Sequence, residues 1–309
     1  MTVVTDVTDA AAPSTPDPLL LDGTATAKTI RGEVTRRVRA LRERHGVHVG
    51  LAAVLAGDNP ASVTYVAMKR RACERAGIFS VAREFGVNAG QQQILDAVDE
   101  LNADPAIHGI LVQHPLPPGL DEHEVLARVA PHKDVDGIGR GSLGDLVKGG
   151  APFVACTPLG MVELMDRYGL PIAGKHAVVI GRSVILGKPM ALLLLNRDAT
   201  VTVCHSKTRH LPDLTRQADI LVAAVGRAEM ITGDMLKPGA VVLDAGYNRV
   251  PGRAQDVGDC DFASCARVAS AITPVPGGVG PMTIAMLLSN TVQAAQMALS
   301  ASAQQWQPA

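Results

Sequence analysis

The sequence predicts an α/β protein of two domains, the second of which opens as a dinucleotide-binding unit. Three observations lead there. Short apolar runs such as "LAAVLAG", "GILVQ" and "ILVAAV" alternate with stretches of helical period, the pattern of buried parallel strands joined by crossover helices. A connection rich in proline and glycine, residues 114–156, splits that alternation into two series. The strand "AVVIG" at the head of the second series turns through Gly181 and Gly187 into a helix, as the first βα unit of a nucleotide fold does.

Taken in order, the first twenty residues hold no Lys or Arg and no apolar run of secretory kind, and they read as a flexible extension. From about Thr24, Ile30, Val34, Val38 and Leu41 recur at helical spacing, and "LAAVLAG" follows as a buried strand. A helix through Tyr65 and Lys69, a strand over 80–85, a helix over 91–102 and the strand "GILVQ" ending at Gln113 complete the first series. Between 114 and 156 one short helix is expected, over 122–130; so long an irregular connection is more often functional than idle. A helix over 158–168 leads into "AVVIGRSVILGKPMALLLL", and "TVTVC", "ILVAAV" and "AVVLDAG" follow as three further strands. The last helix, over 281–299, is apolar on more than one side and is expected to pack between the domains. The expected organisation is an extension 1–20, an N-terminal domain 21–157 rejoined by the helix 281–299, a C-terminal domain 158–280 and a tail 300–309 with the lone Trp306.

Bulk properties exclude several function classes. The 309 residues carry 29 basic and 30 acidic side chains, a formal charge of −1, with no electrostatic footprint for nucleic acid or an anionic membrane. No apolar run approaches the roughly 20 residues that span a bilayer, so the partner is expected to be a small molecule and the location cytoplasmic. Five cysteines with no CxxC read as small buried residues rather than a disulfide framework, and no metal site is expected, at Cys204 and His205 or elsewhere.

The glycine turn reads Gly181, Arg182, Ser183, then Gly187. It is a degenerate phosphate fingerprint, and a turn that merely packs helix on strand remains the alternative. An NAD site commonly carries an acid at the end of the next strand; here "TVTVC" runs into His205, Ser206 and Lys207. A 2′-phosphate would be repelled by an acid and held by the guanidinium of Arg182 and the hydroxyl of Ser206, which favours NADP over NAD.

In the first domain, Tyr65 and Lys69 share a helix face. Lys69 is either a solvated surface cation or a base in a cleft, and Gln113, at the carboxyl end of a strand where open sheets bind ligands, favours the cleft. In "KDVDG", Asp134 reads as a loop or cap residue, whereas Asp136 could accept two parallel N–H bonds from an aminopyrimidinone ring. "TPVPGGVGPMT", residues 273–283, forms a rigid loop suited to line a flat ligand, with Pro281 at a first helical position.

Together "YVAMK", "GILVQHPLP", "KDVDG", "CTPLG", "GRSVILGKP", "CHSKT" and "ITPVPGGVGPMT", in one order over about 270 residues, resemble the bifunctional methylenetetrahydrofolate dehydrogenase/cyclohydrolase family. The resemblance implies a folate cleft between the domains, an NADP-binding Rossmann-type C-terminal domain and a homodimer formed through it. It also implies oxidation of 5,10-methylene-tetrahydrofolate followed by hydrolysis of the 5,10-methenyl product to 10-formyl-tetrahydrofolate. Carried onto matching positions, it implies Lys69, Tyr65, Gln113 and Asp136 as catalytic residues, with Val112, His114, Pro276, Gly277 and Gly278 also against the substrate. Gly181, Arg182, Ser183, Ser206, Tyr247 and Gly280 would hold NADP.

Three positions depart from the family pattern: His114 replaces a usual leucine, Ser142 a common asparagine and Tyr247 a usual isoleucine. No attached formate-tetrahydrofolate ligase segment is expected. The competing readings are a two-domain NADP dehydrogenase for a hydroxy or amino acid, a folate dehydrogenase without the hydrolytic step, and a catalytically silent NADP sensor.

Overall fold

Local signals fix where most elements start and stop. The computed structural model describes residues 17–305. Asp22 caps helix α1 (Gly23–His45) by accepting the Ala25 N–H at 2.9 Å, and left-handed Gly46 ends it. Ala27, Ile30, Val34, Val38 and Leu41 form its buried stripe. Asn59 caps α2 (Pro60–Ala76), with proline at the first position and Gly77 at the end.

Between and after these helices lie β2 (Gly50–Ala56), β3 (Phe79–Phe85), α3 (Gln91–Ala103) and β4 (Gly109–Gln113). The three strands pair in parallel in the order β3-β2-β4. β2 and β4 are buried along their whole length, whereas β3, at the edge, has no fully buried residue. Helix α4 (Glu122–Arg128), α5 (Arg140–Val147) and α6 (Cys156–Arg167) then carry the chain across.

The second sheet is built from β5 (His176–Ile180), β6 (Thr200–Cys204), β7 (Ile220–Ala223), β8 (Val241–Asp244) and β9 (Ala271–Ile272), with α7 (Gly187–Leu195), α8 (Leu211–Thr215) and α9 (Phe262–Ala266) between them. It gains a sixth strand, β1 (Leu19–Leu20), and its order is β1-β9-β8-β7-β5-β6, all parallel. The order reverses at β5: β6 lies on one side and β7 on the other, which opens a crevice at their carboxyl ends. The last helix, α10 (Val279–Gln305), returns to the first sheet.

One apolar core joins the two sheets. Leu51, Ala53 and Leu111 from the first and Ala177, Val179, Val222 and Leu243 from the second belong to a single buried cluster with residues of α1, α6 and α10. Separate clusters cover the outer faces, with α3 and α4 on the first sheet and α9 on the second.

Four expectations need correction. Leu19 and Leu20, assigned to a flexible extension, form a strand hydrogen-bonded to β9, because Ala271 and Ile272 offer an otherwise open edge. β9 itself, in "SAITP", is too short to announce itself by pattern. The connection 114–156 holds α5 and a 3₁₀ turn (Pro131–Lys133) besides α4; α5 forms in a glycine-rich stretch because Asp134 holds its first turn. The last helix begins and ends outside 281–299, and α6 begins at Cys156. Residues 1–16 of the extension, and Trp306 with the tail after it, lie outside the described residues.

Candidate active site

The carboxyl end of β4 and the buried side of α2 meet at Lys69. Its residue is 8% exposed, and its Nζ donates to Gln113 Oε1 at 3.0 Å. Gln113 is oriented in turn because its Nε2 donates to the His114 carbonyl at 2.8 Å, leaving the acceptor oxygen for the amine. The Tyr65 ring covers the lysine, with Nζ 4.9 Å from its centroid. Burial lowers the Lys69 pKa, and the negative field of Asp136 opposes that shift without forming an ion pair. The result is a partly desolvated amine with proton-accepting character.

Asp136 stands on a loop held by the bonds of its neighbours, and the Cys156 thiol lies against its own carboxylate. Asp134 accepts N–H bonds from Gly137 at 3.2 Å and Gly139 at 2.9 Å, and the Ser142 hydroxyl at 2.5 Å. Asp134 is thus the loop residue and Ser142 its partner, so the departure at Ser142 retains a donor. Lys133 is buried and donates Nζ to the carbonyls of Leu101 and Asp104 at 3.0 and 2.7 Å, tying the loop to the end of α3. Val112 is buried in β4. His114 follows it half-buried, with its Nδ1 lacking a protein partner.

Tyr65 and Asp136 are electrostatically coupled, and Tyr247 of the second domain also acts on Tyr65. Burial first, then Asp136, raises the Tyr65 pKa, while an interaction with Thr283 opposes the rise. Tyr247 is 70% exposed, and its pKa is raised chiefly by a hydrogen bond with Asp256. Its loop is fixed from below. Asp244 accepts backbone N–H bonds from Gly246, Asp259 and Cys260, and Asp259 accepts those of Val225, Gly226 and Arg227.

Opposite lies the glycine turn after β5. Gly181 adopts φ +131, and a Cβ there would meet the Ala224 carbonyl oxygen at 2.3 Å; one on Gly187 would meet the Gly181 oxygen at 2.3 Å. The turn is closed so tightly that only glycine fits at either point. Arg182 and Ser183 are exposed beyond it, and Ser206 is exposed just past β6, whose Cys204 pairs with Ile180. No carboxylate pairs with Arg182 among the described residues. An exposed guanidinium after one strand and an exposed hydroxyl after its neighbour, with no acid at the strand end, fit a 2′-phosphorylated dinucleotide.

Pro276, Gly277, Gly278 and Gly280 form the other rim, with Gly277 at φ +107 and its carbonyl accepting the Thr24 N–H at 2.9 Å. Sequence reasoning missed Thr157, Thr283, Asn290, Asp244 and Asp259, all of which fix the site from behind. A buried thiol also escaped it: Cys156 lies against Asp136 and donates Sγ to the Val135 carbonyl at 3.4 Å. "CTPLG" and "DAGYN" were the available signals. No three His, Cys, Asp or Glu side chains converge among the described residues, and the Cys204 thiol is buried beside Thr208.

Comparison with known proteins is consistent across the chain. Residues 21–136 match the family model for the tetrahydrofolate dehydrogenase/cyclohydrolase catalytic domain, and 155–299 match its NAD(P)-binding domain. A relative from Bordetella petrii, "Bifunctional protein FolD", is 52% identical over 289 residues, covering 93% of this chain and 97% of its own length. The crystal structure of the bifunctional FolD methylenetetrahydrofolate dehydrogenase/cyclohydrolase from Campylobacter jejuni superposes with a TM-score of 0.88 at 46% identity, covering 90% of this chain and 98% of that one. The Trypanosoma brucei enzyme, solved with NADP and an inhibitor, superposes with a TM-score of 0.89 at 38% identity, covering 92% and 99%.

The lowered Lys69 pKa has a stability consequence. Between its folded value and the ordinary lysine value of 10.5, the unfolded chain binds more protons at this position, so its contribution to stability rises with pH. The proton-linked advantage of Lys69→Met over wild type is therefore largest at neutral pH and shrinks as pH rises toward 10.5. Urea unfolding across that range checks this; a difference that does not change with pH would place an ordinary amine at residue 69.

Proposed function

The chain belongs to the tetrahydrofolate dehydrogenase/cyclohydrolase family, and on that premise we propose how its cleft divides two reactions among its residues. The protein is a bifunctional enzyme. It oxidises 5,10-methylene-tetrahydrofolate with NADP and hydrolyses the 5,10-methenyl product to 10-formyl-tetrahydrofolate. The observation that carries the residue roles is the buried Lys69 amine, bonded to an amide rather than a carboxylate.

Residues 21–157, with the last helix, take the folate. Asp136 accepts the amino group and ring N–H of the pterin side by side, Tyr65 covers the ring, and Val112, His114 and the 276–278 loop border it. Residues 158–280 take the dinucleotide, with Gly181 and Ser183 on the pyrophosphate, Arg182 and Ser206 on the 2′-phosphate, and Tyr247 and Gly280 toward the nicotinamide end. When bound, NADP accepts the hydride leaving the methylene carbon. The chain's part in that step is alignment and exclusion of water, since two flanking nitrogens stabilise the resulting cation.

Hydrolysis needs a group that both takes and gives a proton. Neutral Lys69 accepts a proton as water adds to the methenyl carbon, then returns it to N5 as the carbon–N5 bond breaks, while the adduct's hydroxyl proton passes to solvent and the carbon is left as the formyl group on N10, with one proton released overall. Burial lowers the lysine pKa toward that role, and the cationic substrate lowers it further. Gln113 keeps the amine aimed.

Lys69→Met is expected to lower methenyl hydrolysis by at least about 10²-fold, the usual worth of a general acid–base. Stopped-flow absorbance that resolves methenyl from NADPH reads it, and hydrolysis at the wild-type rate would remove Lys69 from the mechanism. Arg182→Ala is expected to raise the NADP KM about tenfold or more while changing the NAD KM little, since a charge-assisted bond to the 2′-phosphate is lost. Equal effects on the two cofactors would place Arg182 elsewhere.

A homodimer through the C-terminal domain is supported by β6, an edge strand whose Val203 is 40% exposed beside Leu195 at 56%. Val203→Lys is expected to yield monomer in sedimentation, and an unchanged mass would exclude β6 from the contact. Among the described residues no helix is long and apolar enough to cross a membrane. Five buried, unpaired cysteines fit a reducing cytoplasm, which fractionation would test.

A further inference from the structure

The last helix crosses behind the cleft with three polar side chains at helical spacing, Thr283, Asn290 and Gln293, and each grips a different part of the site. Thr283 Oγ1 lies 3.1 Å from Thr157 Oγ1 and interacts with Tyr65. Gln293 Nε2 donates to the Pro152 carbonyl at 2.9 Å. Asn290, 3% exposed, donates Nδ2 to the Val135 carbonyl at 2.9 Å, with the Val154 carbonyl at 3.4 Å and Cys156 Sγ at 3.7 Å.

Val135 is the residue before Asp136. No backbone or side-chain N–H among the described residues donates to the Asp136 carboxylate; the side-chain partner it has is the Cys156 thiol, which Asn290 also reaches, and otherwise its place is set by its neighbours. Gly137 on one side is bonded to Asp134. Val135 on the other accepts from Asn290 and from the Cys156 thiol, which itself lies against Asp136. We propose that Asn290 is a positioning residue: its amide fixes where the Asp136 carboxylate stands relative to Lys69 and Tyr65, and thereby sets affinity for the pterin ring. A buried asparagine is costly unless its bonds are used, and here they converge on the loop that carries the Asp136 carboxylate.

This role presupposes the folate reading of the site. The test is a double-mutant cycle in tetrahydrofolate binding, which involves no turnover, measured by titration calorimetry on wild type, Asn290→Leu, Asp136→Asn and the double variant. Asn290→Leu is expected to weaken tetrahydrofolate binding about tenfold and to leave NADP binding within about twofold of wild type. In the Asp136→Asn background the same substitution is expected to have almost no further effect, since its route to the ligand is already cut. Losses that multiply in the double variant, or wild-type affinity in Asn290→Leu, would overturn the proposal. Asn290→Ser, which keeps a hydroxyl donor, runs in the same cycle and is expected to fall between; it decides the matter if the leucine variant does not fold. Failure of wild type itself to bind tetrahydrofolate would instead overturn the folate reading.

Discussion

The cleft exists because three helices and the inner faces of both sheets close on one core. α1, α6 and α10 share a single apolar core with the inner faces of both sheets, so the two sheets cannot move apart without exposing Met161, Leu164, Met282 and Leu287 together. Surface charge adds little to this. Arg167 joins Glu33 of α1 to Glu163 of α6, and Arg197 meets Asp166, but these pairs are solvent-exposed and each contributes no more than about 1 kcal/mol. Apolar burial holds the frame, and the carboxyl ends of both sheets are left facing a common gap.

Within that gap the charges are kept apart rather than paired. Lys69 is buried against an amide and an aromatic face, Asp136 lies near it without an ion pair, and Arg182 has no acidic partner among the described residues. Each is a charge without an ion-pair partner among the described residues. Such groups cost stability in the free protein, and they persist because surrounding bonds determine the backbone. Asp134, Lys133 and Asn290 hold the loop of Asp136, and Asp244 and Asp259 hold that of Tyr247.

Strand runs and helix stripes were legible because their signal is local. "LAAVLAG" is buried from end to end, and the α1 stripe is the one its spacing announces. The glycine turn after β5 was legible for the same reason, since Gly181 and Gly187 answer a steric demand within a few residues. β1 was not: two leucines make a strand only because β9 offers an open edge some 250 residues away. α5 was hidden in glycines and forms on a carboxylate that belongs to another turn.

The sequence by itself determined which chemistry is available: a tyrosine and a lysine on one helix face, an amide at a strand end, a paired acid in a glycine loop, and a nucleotide turn without an acid after it. Only the tertiary structure decided that these meet. Burial of Lys69 depends on β4 lying beside β2, and the place of Asp136 on a helix more than 150 residues further along. Desolvation and long-range hydrogen bonding are properties of what surrounds a residue, and the chain acquires its surroundings only by folding.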